Sequence, residues 1–236
     1  MTYTLLGRCG RTGALGVGIA TYSLAVGGLC PVVISGVGAL TSQAFVNPTL
    51  KSLGARLLRV GHPAAQVLQM LRSADPQFDF RQVAVLDQRG DAACHTGPRC
   101  RDWAGHVGGP DFVACGNVLK DRGVAEAMAA AFAADPAAEL GERLVRALEA
   151  GRDAGGQVGG AGHLPERSAA LLVHEAAEEH AILDLRVDGH GDAVTELRRL
   201  HDEFRPYVAF HALRWRNPGE APPQERFVAS LPARPV

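Results

Sequence analysis

The chain of 236 residues has no surplus of positive charge: 24 Lys and Arg stand against 25 Asp and Glu, with 9 His neutral at pH 7. Proteins that hold polyanions neutralise phosphates with excess Lys and Arg, so no nucleic acid is expected as a partner. Aromatics are few as well, and 3 Tyr, 2 Trp and 8 Phe do not make a base-stacking platform. The cysteines Cys9, Cys30, Cys94, Cys100 and Cys115 include no Cys-x-x-Cys pair, which excludes a zinc ribbon and a thioredoxin-type centre. Small secreted scaffolds carry denser, even sets. These are read as reduced, mostly buried thiols of a cytoplasmic protein.

Charge of either sign is missing from Thr12 to Leu50, 39 consecutive positions. Arg8 and Arg11 ahead of this run imitate the start of a secretory leader. Glycines and Pro31 interrupt it, however, and it never reaches the roughly 18 unbroken apolar residues of a membrane helix. Short apolar segments bounded by Gly or Pro read instead as central strands covered on both faces. No membrane partner is expected.

What is present is ordinary for a folded domain: 47% hydrophobic and 21% charged residues. Tyr3 to Arg8 and Ala14 to Thr21 form a hairpin about Arg11-Thr12-Gly13, and Pro31 to Ile34 pairs with Val37 to Ser42. The period then changes. Asn47-Pro48 supplies a cap and a first-turn proline for a helix ending at Gly61, and His62-Pro63 opens another. Strands follow at Gln82 to Asp87, Asp91 to Thr96, Trp103 to Val107 and Asp111 to Gly116, then two helices within 121–151. Five glycines between Gly155 and Gly162 predict a mobile loop. A strand pair at Ser168 to Val173 and Ile182 to Val187 and a helix over Ala193 to Phe204 complete the series. Paired strands and helices in blocks predict an α+β fold of antiparallel sheets flanked by helices. One domain is expected over 1–215, with a frayed Pro-rich tail over 216–236.

Common site signatures are missing. Gly13-x-x-Gly16-x-Gly18 and Gly36-x-Gly38 lack the dinucleotide-loop order, there is no Gly-Lys-Ser/Thr, and close strand packing explains the glycines. His174-Glu175-x-x-Glu178 lacks the second His of a zinc helix and reads as a solvated hairpin loop. Cys94, His95 and Cys100 fit no common zinc spacing, and no Gly-x-Ser-x-Gly elbow occurs. Neither a metal nor a cofactor is expected.

The N-terminus is what remains. Thr2 follows Met1, and initiator Met is trimmed before a small residue; an N-terminal Thr then carries nucleophile and base together, hydroxyl and α-amine. An unperturbed α-amine titrates at about 7.7–8.0, so a neutral fraction exists near pH 7. The alternative is a plain strand residue.

The surrounding residues resemble a family called domain of unknown function 1028, within the N-terminal nucleophile (Ntn) hydrolase-like superfamily. The resemblance is carried by Met1-Thr2-Tyr3-Thr4, Thr12-Gly13-Ala14-Leu15-Gly16-Val17, Ala25-Val26-Gly27, Gly36-Val37-Gly38-Ala39, Ser42-Gln43-Ala44 and Asn47-Pro48. It continues through Arg81-Gln82-Val83, His95-Thr96-Gly97, Trp103-Ala104-Gly105-His106, Gly116-Asn117-Val118-Leu119 and Asp184-Leu185-Arg186-Val187-Asp188, from residue 1 to about 204. It implies a four-layer α/β/β/α sandwich; only the superfamily supplies amide hydrolysis. The family's Gly-Gly-Asp-x-x-Gly-x-Gln-Ser-Ala-Ala segment is altered here to Gly155-Gly156-Gln157, a glycine-rich insertion, and Glu166-Arg167-Ser168-Ala169-Ala170.

Two functions follow. In one, Thr2 attacks the carbonyl of a small amide or related acyl substrate. Asn117, in a Gly-Asn turn after a strand, donates to the oxyanion or else is only a turn residue. Ser23, Gln43, Asn47 and His95 line the pocket or else hydrogen-bond backbone, and His106 is structural. A homodimer is the candidate assembly. In the other, Gln157 and Arg167 mark a non-catalytic ligand-binding or oligomeric protein that keeps the fold.

Overall fold

The computed structural model describes residues 1–232. Its long strands are antiparallel and form two sheets. β1 (Thr2–Arg8) and β2 (Leu15–Thr21) pair in a hairpin whose turn uses Gly13 at φ 73°, a left-handed geometry suited to glycine. After the short α1 (Val26–Leu29) come β3 (Pro31–Ile34) and β4 (Gly38–Ala44), then α2 (Pro48–Arg59) and α3 (Ala64–Ala74). β5 (Arg81–Asp87), β6 (Ala92–Thr96), β7 (Gly105–Gly109) and β8 (Phe112–Asn117) follow. Next are α4 (Arg122–Ala133), α5 (Leu140–Asp153), β9 (Gln157–Gly159), β10 (Gly162–Leu164), β11 (Ser168–His174) and β12 (Ala181–Val187). α6 (Ala193–Arg216) and α7 (Gln224–Ser230) end the described chain.

One sheet has the order β12-β11-β2-β1-β8-β7 and the other β3-β4-β5-β6. Three packed layers of side chains separate four layers of backbone. Leu5, Phe132, Leu144, Leu148, Leu171 and Val194 belong to the core between the larger sheet and α4, α5 and α6. Leu6, Leu15, Val17, Ile19, Ala84 and Leu86 pack between the two sheets. Leu40, Leu50, Leu58, Val67, Leu71 and Val85 lie between the smaller sheet and α2 and α3. The expected α/β/β/α sandwich is therefore the observed architecture.

Local chemistry places the helices as the sequence predicts. Asn47 caps α2 by accepting the Thr49 N–H at 3.0 Å, with Pro48 in the first turn. The glycines of β2 serve close packing: a Cβ on Gly16 would meet Leu144 at 2.7 Å, and one on Gly18 would meet Leu148 at 3.3 Å. Bare backbone lets α5 settle onto the sheet.

The structure departs from three expectations. The predicted mobile loop over Gly155–Gly162 instead holds the small hairpin of β9 and β10. It is anchored because the Val158 N–H reaches the Val118 carbonyl at 2.9 Å and Gln157 bridges Leu119. The last predicted helix does not stop at Phe204. α6 continues through Pro206, whose missing N–H forfeits one helical bond, because Phe210 is again buried further along. Nor does the tail simply fray: the Phe227 ring of α7 stacks on Phe210 with centroids 3.9 Å apart. The tail's last four residues lie outside the described residues. Among the described residues, no helix is long and apolar enough to cross a membrane.

Candidate active site

The space between the sheets is aliphatic at one end and polar at the other. Strand alternation does this: Thr2, Thr4 and Leu6 share one face of β1, as do Val113, Cys115 and Asn117 on β8. From the facing sheet come Thr41 and Gln43 of β4 and Gln82 of β5. Thr2, Thr4, Thr21, Thr41, Gln43, Gln82 and Asn117 are all buried. Burying such groups is costly unless they are hydrogen-bonded.

Gln82 organises them. Its Nε2 donates to the Gly116 carbonyl at 2.8 Å, the Thr96 hydroxyl at 2.9 Å and the Gly105 carbonyl at 3.1 Å. Backbone carbonyls can only accept, so the amide cannot be flipped and Oε1 must face the interior. There it accepts from Gln43 Nε2 at 2.9 Å and from Asn117 Nδ2 at 3.1 Å. Gln43 accordingly turns its own Oε1 to the hydroxyls of Thr4, at 2.6 Å, and Thr41, at 3.2 Å. With its nitrogen directed at Gln82, Asn117 presents Oδ1 to the chain terminus and accepts from the Met1 amine at 2.6 Å. Asn117, the sequence's candidate oxyanion donor, thus offers this site an acceptor.

Thr2 lies opposite Asn117 in the β1–β8 ladder and is only 5% exposed. Its hydroxyl is within bonding reach of the Met1 carbonyl and of Thr21 Oγ1, the latter at 3.2 Å. The Thr21 hydroxyl donates to the same Met1 carbonyl. The peptide carbonyl joining Met1 to Thr2 is therefore held between two buried hydroxyls. Desolvation, reinforced by the Arg101 charge, lowers the Met1 amine from the usual 8.0 to about 6, so it is largely neutral at pH 7. Burial pushes the nearby Cys30 thiol up to about 11 and raises Cys100, which keeps both protonated and unreactive.

Backbone strain sits beside these groups. Val118, directly after Asn117, is a β-branched residue at φ 57°, a conformation costing on the order of 1–3 kcal/mol. The altered family segment borders the same end. Gln157 is fully buried and fills a structural role: its Oε1 accepts the Tyr22 N–H at 3.1 Å and its Nε2 donates to Glu166 at 3.4 Å. Arg167 is exposed, with its guanidinium 5.5 Å from the Tyr22 ring centroid.

Of the residues singled out by sequence, Thr2, Asn117 and Gln43 come together. Ser23 is exposed and joins only through its backbone, which reaches Thr21 Oγ1 at 3.3 Å and accepts from Ser168 Oγ at 2.8 Å. Asn47 does not join them; it caps α2 and donates to Asp75 at 3.0 Å. His95 lies on the opposite face of β6 from Cys94, stacked on Phe78 at 4.4 Å, and burial lowers its pKa. Thr21, Thr4 and Gln82 join the same network with no motif of their own to mark them, although Thr21 continues the inward phase of Val17 and Ile19 within the charge-free run.

Elsewhere, Glu142, His201 and Asp202 place ligand atoms within 4.8 Å of one another. Glu142 is already held by Arg198 and Arg146, each at 2.6 Å, so two guanidiniums occupy the charge a cation would need. A cleft of about 610 Å³ beside Cys9, Leu140 and His201 opens at the far end of β1 and β2 from Thr2.

The model of the family described as "Family of unknown function (DUF1028)" matches residues 2–197, and the chain belongs to that family. A crystal structure of a Silicibacter pomeroyi protein of the same family is 31% identical, with a TM-score of 0.78 over 86% of this chain and 88% of that one. Anbu (ancestral beta-subunit) from Yersinia bercovieri is 12% identical with a TM-score of 0.42, covering 99% of each chain. An Anbu (Gly-1) mutant from Hyphomicrobium sp. strain MC1 is 12% identical with a TM-score of 0.43, covering 100% of each. No curated protein matches the chain.

Proposed function

We propose that this protein is an Ntn-type amidohydrolase that uses Thr2, exposed by removal of Met1, on a small amide or related acyl substrate. The observation that carries the reading is the carbonyl held between the hydroxyls of Thr2 and Thr21 in a buried, hydrogen-bonded setting. Thr2 Oγ1 attacks the substrate carbonyl carbon while its proton passes to the Thr2 α-amine. That proton moves to the leaving nitrogen as the C–N bond breaks, leaving an ester on Thr2. Water then cleaves the ester, releasing the acid and regenerating the hydroxyl. The Thr21 hydroxyl is the donor aimed at the developing oxyanion. Desolvation, which already depresses the amine at this end of β1, favours the neutral base the first step requires.

The test joins the mass of the recombinant N-terminus to turnover of an amide library. The expected result is loss of Met1 and a fall on the order of a thousandfold in Thr2→Ala, with part of the activity kept by Thr2→Ser. Retained Met1 together with unchanged hydrolysis in Thr2→Ala would overturn the proposal.

One observation favours the non-catalytic reading: three surface clefts, including the one near Cys9, are lined by neither Thr2 nor Asn117. That reading expects ligand-induced thermal stabilisation without turnover and indifference to Thr2 replacement.

A further inference from the structure

Building on the proposed function, we infer that the acyl part of the substrate carries an uncharged N–H donor on the carbon next to the scissile carbonyl, as in N-acylated α-amino amides and peptides. Met1 shows how such a group sits. In an acyl-enzyme the acyl group is carried on Thr2 Oγ1, whereas in the chain with Met1 it is carried on Thr2 N. These two atoms belong to one residue, and the Thr2 hydroxyl already lies against the Met1 carbonyl. The Met1 residue is therefore a built-in likeness of an acyl group at this nucleophile. Its carbonyl oxygen takes the Thr21 hydroxyl, and its α-nitrogen, one carbon away, donates to Asn117 Oδ1 at 2.6 Å.

The acceptor character of Asn117 is imposed by its surroundings. The carbonyls of Gly116 and Gly105 fix Gln82 Nε2, Gln82 Oε1 fixes Asn117 Nδ2, and Oδ1 is what remains for the occupant. An acyl group lacking a donor there would leave a buried carbonyl oxygen unpaired, a loss comparable to one hydrogen bond. The surroundings also select the charge of the donor. Arg101 and two thiols are the ionisable groups that act on the Met1 amine, and no carboxylate is among them in the described residues. An ammonium would meet the larger desolvation penalty of a charge and repulsion from a like charge, whereas an amide N–H has only its smaller polar desolvation to offset with the bond to Asn117.

The test puts the chemistry on the ligand, so Asn117 and Gln82 stay unchanged. The full chain beginning at residue 2 is prepared with Thr2→Ala to prevent turnover, and its N-terminus is checked by mass. Binding of N-acetyl-L-methioninamide is compared by calorimetry with its oxygen isostere, 2-acetoxy-4-(methylthio)butanamide, which differs only in replacing the N–H. At least tenfold tighter binding of the N–H compound is expected. Equal affinity, or no binding of either at millimolar concentration, overturns the inference. The chain with Thr2 intact is then assayed for hydrolysis of the same pair. A binding preference without hydrolysis overturns the amidohydrolase reading and leaves the N–H preference standing.

Discussion

The layer between the larger sheet and α5 is mainly apolar, with Tyr3 and Phe132 among its aliphatic side chains, whereas the end of the sheet–sheet layer near Thr2 is built from hydroxyls and amides. In the first, Leu144 and Leu148 fill the space that Gly16 and Gly18 leave open, and volume alone sets the fit. In the second, each amide's orientation follows from its neighbour's, starting at the Gly105 and Gly116 carbonyls and ending at Asn117. Apolar packing tolerates swaps of similar volume, but a directed network loses its order when one member is removed. Aliphatic residues fill the other end of the same layer, at Leu15, Val17 and Leu86, so the fold does not need polar groups there. Their presence beside the terminus is what singles that end out.

The sharpest way to break the comparison is to remove one residue from each region. Leu148→Ala should lower unfolding free energy by about 3–4 kcal/mol through lost burial and a residual cavity, with turnover per folded molecule unchanged. Denaturant unfolding and an activity assay read the two effects separately. Gln82→Leu keeps the volume but strands the Asn117 and Gln43 amides, and should cost about 2 kcal/mol. Unlike Leu148→Ala, it should also abolish any N–H selectivity, because nothing then aims Asn117. A stable Gln82→Leu variant with intact selectivity would reduce the network to packing.

Much of this layout is legible in the sequence where the signal is local. Asn47-Pro48 is a capping pair whatever the rest of the chain does, and Gly13 marks a turn. The β9–β10 hairpin is not legible because its hold comes from Val118 and Leu119, some forty positions upstream, while its own composition speaks for freedom. α6 overruns Pro206 because burial of Phe210 offsets a lost backbone bond, a tertiary effect that propensity does not contain. For the site, Thr2 is visible by its place after Met1 and Asn117 by its Gly-Asn turn. Their pairing across β1 and β8 spans most of the first half of the chain and has no sequence signature. Polarity alone did not separate Gln43, which joins the network, from Asn47 and His95, which hold α2 and Phe78. Strand phase does separate the two glutamines, since Gln43 and Gln82 are cross-strand partners facing the other sheet.

Asn47→Ala is the control from outside both regions. It removes a helix cap and the contact with Asp75, so a loss of about 1–2 kcal/mol is expected, with catalysis and N–H selectivity untouched. Measured by the same unfolding curves, a change in selectivity here would show that the polar end extends through the smaller sheet to α2.

The smallest effect concerns the terminus before Met1 is removed. The amine is charged below its pKa, which lies at about 6 in the folded chain against 8.0 ordinarily. The unfolded chain therefore binds more protons between those values, and stability rises as pH goes from about 6 to 8. Below 6 both states are protonated and the penalty of the buried charge is fully present; above 8 it is gone. Because the amine keeps some water contact, the gain is about 1 kcal/mol, less than the bare shift implies. Carbon-13 reductive methylation of the Met1 amine followed by an NMR titration should give a midpoint near 6. A midpoint near 8 would place the amine in open water, away from Asn117, and would erase the distinction between this end of the layer and ordinary surface. A low midpoint that returns toward 8 in Gln82→Leu would tie the terminus to the network by direct measurement.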